Sequence, residues 1–201
     1  SVIKNADVAL YRAKEAGRNT FQFYRKEMNA RAMERLLLES RLRGAIEREE
    51  FVLHYQPQVE LDSGRIVGVE ALLRWQHPER GNISPVEFIP IAERFGLIGR
   101  LGQWVTDETC RQIKEWMAMG LRMRVAINLS VHQLRQVDLA ERVQESLQKY
   151  GVPPELITFE VTESAAMEDP QASLRIFEKL SQINVSLSID DFGTGYSSLS
   201  Y

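Results

Sequence analysis

Four stretches of the 201-residue sequence place an oxygen-bearing side chain where an apolar run would otherwise continue. They are Glu70 in Gly68-Val69-Glu70-Ala71-Leu72-Leu73-Arg74-Trp75, Asn128 after Val125-Ala126-Ile127, Glu160 after Phe159, and Asp190-Asp191 after Leu187-Ser188-Ile189. Ionised carboxylates are almost never buried without a partner, so each needs a reason. Singly, a strand-end Asn or Asp is most often a turn or helix-cap residue. Jointly they share a pattern, because two positions earlier on the same strand face stands a small residue: Gly68, Ala126, Thr158 or Ser188. If the strands are neighbours, Glu70, Glu160, Asp190 and Asp191 converge. Two like charges about 4 Å apart repel by about 4 kcal/mol at an effective dielectric of about 20, which calls for bound protons or a cation. Carboxylates with an amide oxygen and no His or Cys favour a hard ion, Mg²⁺, Mn²⁺ or Ca²⁺, over Zn²⁺. The joint pattern favours a metal site over scattered caps. Arg74 shares the Glu70 face but lies about 13 Å along the strand, at about 3.3 Å per residue. That is too far to pair with Glu70 and suits contact with another part of one ligand.

The elements that must position these groups are legible in the periodicity. Residues 5–16 form a short helical pattern ended by Gly17, followed by a short strand at Thr20–Tyr24. Met28 to Glu50 reads as one amphipathic helix, with Glu39 and Arg43 as an i,i+4 pair. A hairpin follows, alternating through Leu53, Tyr55, Pro57, Val59 and Leu61, turning at Asp62-Ser63-Gly64 and returning through Ile66–Trp75. After a loop at residues 78–84, Ser84-Pro85-Val86-Glu87 has the form of an N-cap, a first-turn proline and a capping-box acid, with helices to about Gly120. The order then alternates: strand Arg124–Leu129, helix Asp138–Tyr150, strand Ile157–Thr162, helix Gln171–Ile183, strand Ser186–Asp190. This alternation implies an α/β fold with a parallel sheet, open or closed. The layering of small residues beneath oxygen-bearing ones suits a barrel interior whose chemistry sits at the C-terminal strand ends.

Bulk properties remove other classes. A composition 44% hydrophobic and 26% charged is that of a globular chain able to bury a core, and a net charge of -3 gives no case for nucleic acid or an anionic membrane. One cysteine, Cys110, excludes an internal disulfide, suits a reducing cytosol and is expected to be packing rather than a nucleophile. Ser1 in place of an initiator Met suggests a piece of a longer protein. His54, His77 and His132 are unclustered and expected at the surface or a pocket rim, with His54 on the Gln56 face. Gly193-Thr194-Gly195-Tyr196-Ser197-Ser198 lacks the third glycine of a dinucleotide fingerprint and follows two acids that would repel pyrophosphate. Trp104 and Trp116 are expected in helix packing.

Glu70-Ala71-Leu72 with Arg74, Ile127-Asn128-Leu129-Ser130, Glu160-Val161-Thr162-Glu163 and Asp190-Asp191-Phe192-Gly193-Thr194-Gly195 together resemble the EAL-domain cyclic-di-GMP phosphodiesterases, over about residues 36–201. Residues 5–24 resemble the C-terminal end of a GGDEF diguanylate-cyclase domain. The resemblance implies a TIM-like (β/α) barrel of the EAL type, incomplete at its C-terminus, with an N-terminal helix-strand remnant. Residues 1–26 would be the GGDEF remnant, 27–50 a connecting helix and 36–201 the EAL domain. It further implies that Glu70, Asn128, Glu160, Asp190 and Asp191 hold Mg²⁺ or Mn²⁺, with Glu70, Asp190 and Asp191 central to catalysis. Glu163 would support the loop after Asp191, and its opposite parity to Glu160 fits a role other than ligation. Arg74 would contact a substrate phosphate, and Gln56 would lie on the substrate side. The implied reaction hydrolyses one phosphodiester bond of cyclic di-GMP to give linear pGpG, in a cytoplasmic homodimer in contact with neither nucleic acid nor membrane. The sequence departs from the family by stopping just after the 190–195 loop, before the family's lysine near the attacking water and its further glutamates. The fragment alone is therefore expected to be inactive. The alternative is a non-catalytic EAL module that binds cyclic di-GMP or a protein partner; the presence of every ligand the sequence can show favours an enzyme lineage.

Overall fold

The computed structural model describes residues 5–6, 9–10, 19–24 and 36–190, and the chain divides into two compact units, Ser1–Gly44 and Ala45–Tyr201. In the first unit residues 5, 6, 9 and 10 are helical, as the pattern there implies. Residues 20–24 form no strand, contrary to the expectation, although Phe21 and Phe23 pack edge to face at 5.4 Å. A strand needs a paired neighbour, and apolar alternation over five residues does not supply one. The helix expected to run to Glu50 ends instead at residue 42. Gly44 carries the lowest helix propensity short of proline.

Where the second unit begins, Glu49 takes a left-handed φ of 56° and closes a Schellman turn, with Glu50 N–H to Ala45 O at 3.0 Å and Glu49 N–H to Ile46 O at 3.1 Å. That unit is built on a six-stranded sheet: β1 (Phe51–Val59), β2 (Ile66–His77), β3 (Gly81–Ile83), β4 (Arg124–Asn128), β5 (Ile157–Thr162) and β6 (Ser186–Asp190). The spatial order is β1-β2-β4-β5-β6, with β3 on β2. β1 and β3 run antiparallel to β2, and the β2–β4, β4–β5 and β5–β6 pairs are parallel. Gly64, at φ 67°, permits the tight turn between β1 and β2. The segment read as a loop before Ser84 contains β3, whose Ile83 pairs with Trp75. Among the described residues the sheet is open, with β1 and β6 at opposite ends of its order.

Among the described residues six α-helices pack with this sheet: α1 (Pro85–Arg94), α2 (Ile98–Ala118), α3 (Val131–Leu134), α4 (Leu139–Tyr150), α5 (Glu163–Glu168) and α6 (Pro170–Gln182). A parallel connection requires a crossover of about a dozen residues, and α4 and α6 occupy the crossovers β4–β5 and β5–β6. One face of the strands supplies the core. In β5 the alternation is clean, with Ile157, Phe159 and Val161 buried and Thr158, Glu160 and Thr162 partly exposed. The buried set packs in one cluster with Ile113 of α2, Val143 and Leu147 of α4, and Ile176 and Leu180 of α6. Each such fully buried aliphatic side chain is worth about 1.5–3 kcal/mol, which fixes the parity of each strand. Fixing that parity sends every polar partner of the alternation to the opposite face.

Cys110 is fully buried in this core, and burial pushes its thiol up to about 12, so it is inert packing. Trp104 and Trp116 pack as expected, the first against Phe51 and the second edge-on to Tyr55. Ser84 caps α1 with its backbone position only: its side chain makes no cap bond, and Glu87 faces Arg80 at 3.7 Å instead of completing a capping box.

Candidate functional site

Glu70, Asn128, Glu160 and Asp190 lie on the polar face of four neighbouring strands, β2, β4, β5 and β6. Their levels follow from the register. Glu70 is level with Ala126, Asn128 with Glu160, Glu160 with Ser188, and Asp190 with Thr162. Across each staggered pair, the small residue beneath one oxygen-bearing side chain therefore stands beside a neighbour's. Ala126 leaves room for the carboxylate of Glu70, and Ser188 for that of Glu160. The small residues noted in sequence serve the adjacent strand's acid as much as their own.

Asn128 Nδ2 donates to Glu70 Oε1 at 2.7 Å, and Gln58 Nε2 donates to Glu160 Oε1 at 3.4 Å. The Glu160 carboxyl is pushed above the usual carboxylate range, first by burial and then by the like charges of Glu70 and Asp190, with the Gln58 hydrogen bond opposing the rise. Glu70, Glu160 and Asp190 are thus close enough to repel. Even so, no three His, Cys, Asp or Glu side chains among the described residues gather tightly enough for a metal-ready group. The amide of Asn128 stands against Glu70, and Asp190 sits one pleat beyond Glu160. Asp191, together with the rest of the motif that follows it, lies outside the described residues.

Gln56 is exposed and directly opposite Glu70 across the β1–β2 pair, which puts it on the same face. Arg74, farther along β2, donates from Nη1 to Leu73 O at 2.9 Å and makes no ion pair among the described residues. Beside it opens a cavity of about 240 Å³, whose lining includes Leu72, Arg74, Asn128, Leu101, Gly102 and Gln133. Glu163 is buried as the first residue of α5, behind the Thr162 cap whose side chain accepts from Ala165 N–H. Its expected loop partner lies outside the described residues. His54 and His132 are exposed. His77 corrects the surface expectation: it is buried against Trp75, and its Nδ1 accepts from the backbone N–H groups of Glu79 and Arg80.

Gln58 was not singled out by the sequence. Its signal was weak but present, since it shares the face of Gln56 two residues on and stands opposite Gly68. A Cβ on Gly68 would lie 3.2 Å from Gln58 Oε1 and 3.2 Å from Arg124 O, so the glycine keeps clear the space this amide occupies.

The family pattern described as "EAL domain" matches residues 39–201. The chain belongs to the EAL-domain family. This EAL domain is 50% identical over 198 residues to the bifunctional diguanylate cyclase/cyclic di-GMP phosphodiesterase MucR of Pseudomonas aeruginosa, covering 98% of the chain and 29% of that protein. It is 42% identical over 200 residues to the cyclic di-GMP phosphodiesterase PdeR of Escherichia coli K12, covering 100% of the chain and 30% of that protein. The chain thus spans less than a third of the length of these relatives. The solved structure described as PaMucR phosphodiesterase in complex with c-di-GMP superposes with a TM-score of 0.77 at 49% identity, over 81% of this chain and 66% of that one. The α/β fold therefore matches that of EAL-domain structures.

Proposed function

We propose that this chain is part of a metal-dependent phosphodiesterase that hydrolyses cyclic di-GMP to linear pGpG. The observation that carries the reading is the placement of Glu70, Asn128, Glu160 and Asp190 on one face of four neighbouring strands, with Arg74 farther along the same face of β2. The donor set fits a hard divalent ion: oxygen ligands are present, and the like charges of Glu70 and Asp190, which add to burial in raising the Glu160 carboxyl, are ones a cation would offset. Glu70, Asn128, Glu160 and Asp190, joined by Asp191, would hold Mg²⁺ or Mn²⁺. A half-turn of the Asn128 amide presents its oxygen in place of its NH₂ group. When bound, the ion supplies Lewis acidity to a phosphoryl oxygen and acidifies a water. Arg74 gives a charge-assisted hydrogen bond to a phosphate oxygen of the substrate. Gln56, at the exposed lip opposite Glu70, contacts substrate, and Glu163 supports the loop following Asp191.

Residues 1–26 are proposed as the C-terminal end of a GGDEF domain. Support comes from the alignment with the bifunctional MucR, which covers 98% of the chain and so extends beyond residues 39–201. The EAL family homodimer and a cytoplasmic setting are part of the same reading. No helix among the described residues is long and apolar enough to cross a membrane. The test is incubation of the purified whole protein of which this chain is part with cyclic di-GMP and Mg²⁺ or Mn²⁺, with products separated by chromatography. Appearance of pGpG supports the reading; metal-saturated protein that binds cyclic di-GMP without turning it over favours the binding module. Sedimentation of the same sample reads the oligomeric state.

A further inference from the structure

Immediately after Asn128 the chain leaves the sheet through a short, tightly bonded turn. Leu129 N–H reaches Glu160 O at 2.8 Å, which ties the residue after Asn128 to β5. Ser130 then opens the one-turn α3 with a complete capping box: Gln133 N–H donates to Ser130 Oγ at 3.3 Å, and Ser130 N–H donates to Gln133 Oε1 at 3.1 Å. The Gln133 side chain that closes this box is 94% buried, with 6% of its surface exposed. It lies against the backbone of α2, where a Cβ on Gly102 would fall 2.0 Å from Gln133 Nε2 and 2.8 Å from its Cδ. A side chain there would force Gln133 to move. Glycine inside a helix costs about 1 kcal/mol relative to alanine, so Gly102 weakens α2 locally while making room for Gln133.

We propose that Gln133, seated in the gap left by Gly102, is a positioning residue for Asn128. The amide holds the Ser130 backbone two residues beyond Asn128. That bond, together with the Leu129 tie to β5, fixes the direction from which the Asn128 carboxamide approaches Glu70. The inference rests on the reading of Asn128 as a metal ligand. Groups that orient ligands without touching the metal commonly matter by about 10–100-fold in affinity.

The test is calorimetric titration of Mn²⁺ into substrate-free protein, with thermal unfolding read in parallel. Gln133→Met keeps length and apolar bulk but removes the acceptor, and is expected to weaken Mn²⁺ binding about tenfold. Gln133→Glu restores the acceptor in a capping-box residue type and is expected to recover affinity. Gly102→Ala raises helix propensity yet displaces Gln133, so it should lose affinity like Gln133→Met. Gly99→Ala is the matched control on the same helix. Its Cβ would meet Gln136 Nε2 at 2.3 Å, but Gln136 bonds Arg142 rather than the Ser130 backbone, so Mn²⁺ affinity should stay at the wild-type value. A folded Gln133→Met or Gly102→Ala protein with wild-type Mn²⁺ affinity overturns the inference, as does an equal loss in Gly99→Ala. Glu70→Ala separates the two levels of the argument. If it binds Mn²⁺ as wild type does, the metal-site reading itself fails; if it loses binding while Gln133→Met does not, only the positioning role fails.

Discussion

Two glutamates of this sheet face opposite electrostatic fates. Glu50, just before β1, is buried with 7% of its surface exposed. Burial alone would raise its carboxyl, but the Arg48 guanidinium at 2.5 Å and the Trp75 indole N–H at 2.9 Å outweigh burial and hold it below the usual range. Glu160 is less buried, yet its carboxyl is raised, first by burial and then by the like charges of Glu70 and Asp190, and the hydrogen bond from the distant amide of Gln58 does not offset them. The difference separates structural from functional use of a charge. Where a protein needs a buried carboxylate for its fold, it compensates the charge locally, as at Glu50. Where like charges are left facing one another, as at Glu160, the compensation comes from elsewhere, and under the proposed function its source is a divalent ion.

The largest expected effect breaks the functional side of this comparison. Glu70→Ala removes one of the repelling charges and a proposed ligand. On the proposed function, turnover of cyclic di-GMP by the whole protein that contains this chain should fall by at least about a hundredfold, beyond what loss of a mere orienting group costs. Stability in urea should hold or rise slightly, since repulsion with Glu160 is relieved. Retained turnover would remove Glu70 from the site.

Glu50→Ala breaks the structural side with the opposite outcome. It leaves the Trp75 N–H without its acceptor in a fully buried aromatic cluster with Phe51 and Phe88. Stranding a buried donor costs about 1–3 kcal/mol. Arg48 can turn to water, since 41% of its side chain is already exposed, so the expected loss is about 2 kcal/mol rather than the larger penalty of an orphaned buried ion. Urea unfolding measures the loss, and turnover of cyclic di-GMP by the whole protein carrying the same substitution should be nearly unchanged below the unfolding transition.

The pH dependence of stability sharpens the same contrast by a smaller amount. The folded-state pKa of Glu50 is depressed, so the unfolded chain binds its proton more readily. Its stabilisation is therefore present above the unfolded carboxylate pKa of about 4.3 and is lost as pH falls through the lower folded value. Urea midpoints taken from neutral pH down through this window should fall more steeply for the wild type than for Glu50→Ala. Parallel curves would show that Glu50 is not held ionised by Arg48 and Trp75.

These two glutamates also show what a sequence makes legible. The alternation is legible in β5, where Ile157, Phe159 and Val161 keep a strict period of two and set the parity of Glu160, whereas in β4 the larger Val125 and Ile127 set that of Asn128 although Ala126 between them is buried too. That period places each oxygen on one side of its own strand; the strand order β2-β4-β5-β6 is what brings the four onto one face. Relations without a local signature were not readable. The Gln58–Glu160 bond spans 102 residues, and the Arg48–Glu50–Trp75 cluster depends on a cross-strand fold-back. Local rules also misfired where partners competed. The box expected at Ser84/Glu87 is absent because Glu87 faces Arg80, whereas Ser130 and Gln133 form one where none was anticipated. The helix expected to reach Glu50 gave way at Gly44 and to the left-handed Glu49, a conformation that residue type seldom announces.

The smallest expected effect is the coupling within each cluster, measured by double-mutant cycles. Trp75→Phe removes the donor to Glu50 but also shrinks a fully buried ring, so its single-mutant cost mixes a lost hydrogen bond with a cavity. Pairing it with Glu50→Ala cancels the cavity contribution, because that contribution is present with or without Glu50. The remainder is the indole–carboxylate interaction, expected at about 1–2 kcal/mol for a buried hydrogen bond to a charged group. The matching cycle of Gln58→Ala with Glu160→Ala tests a bond of 3.4 Å at an exposed position, where water replaces either partner cheaply. Its coupling should be below about 0.5 kcal/mol, within the range seen for non-interacting sites. If the Gln58–Glu160 coupling matches or exceeds the Glu50–Trp75 coupling, then Glu160 is compensated by the protein itself. The reading of its elevated carboxyl as a sign of an awaited cation would then lose its physical basis.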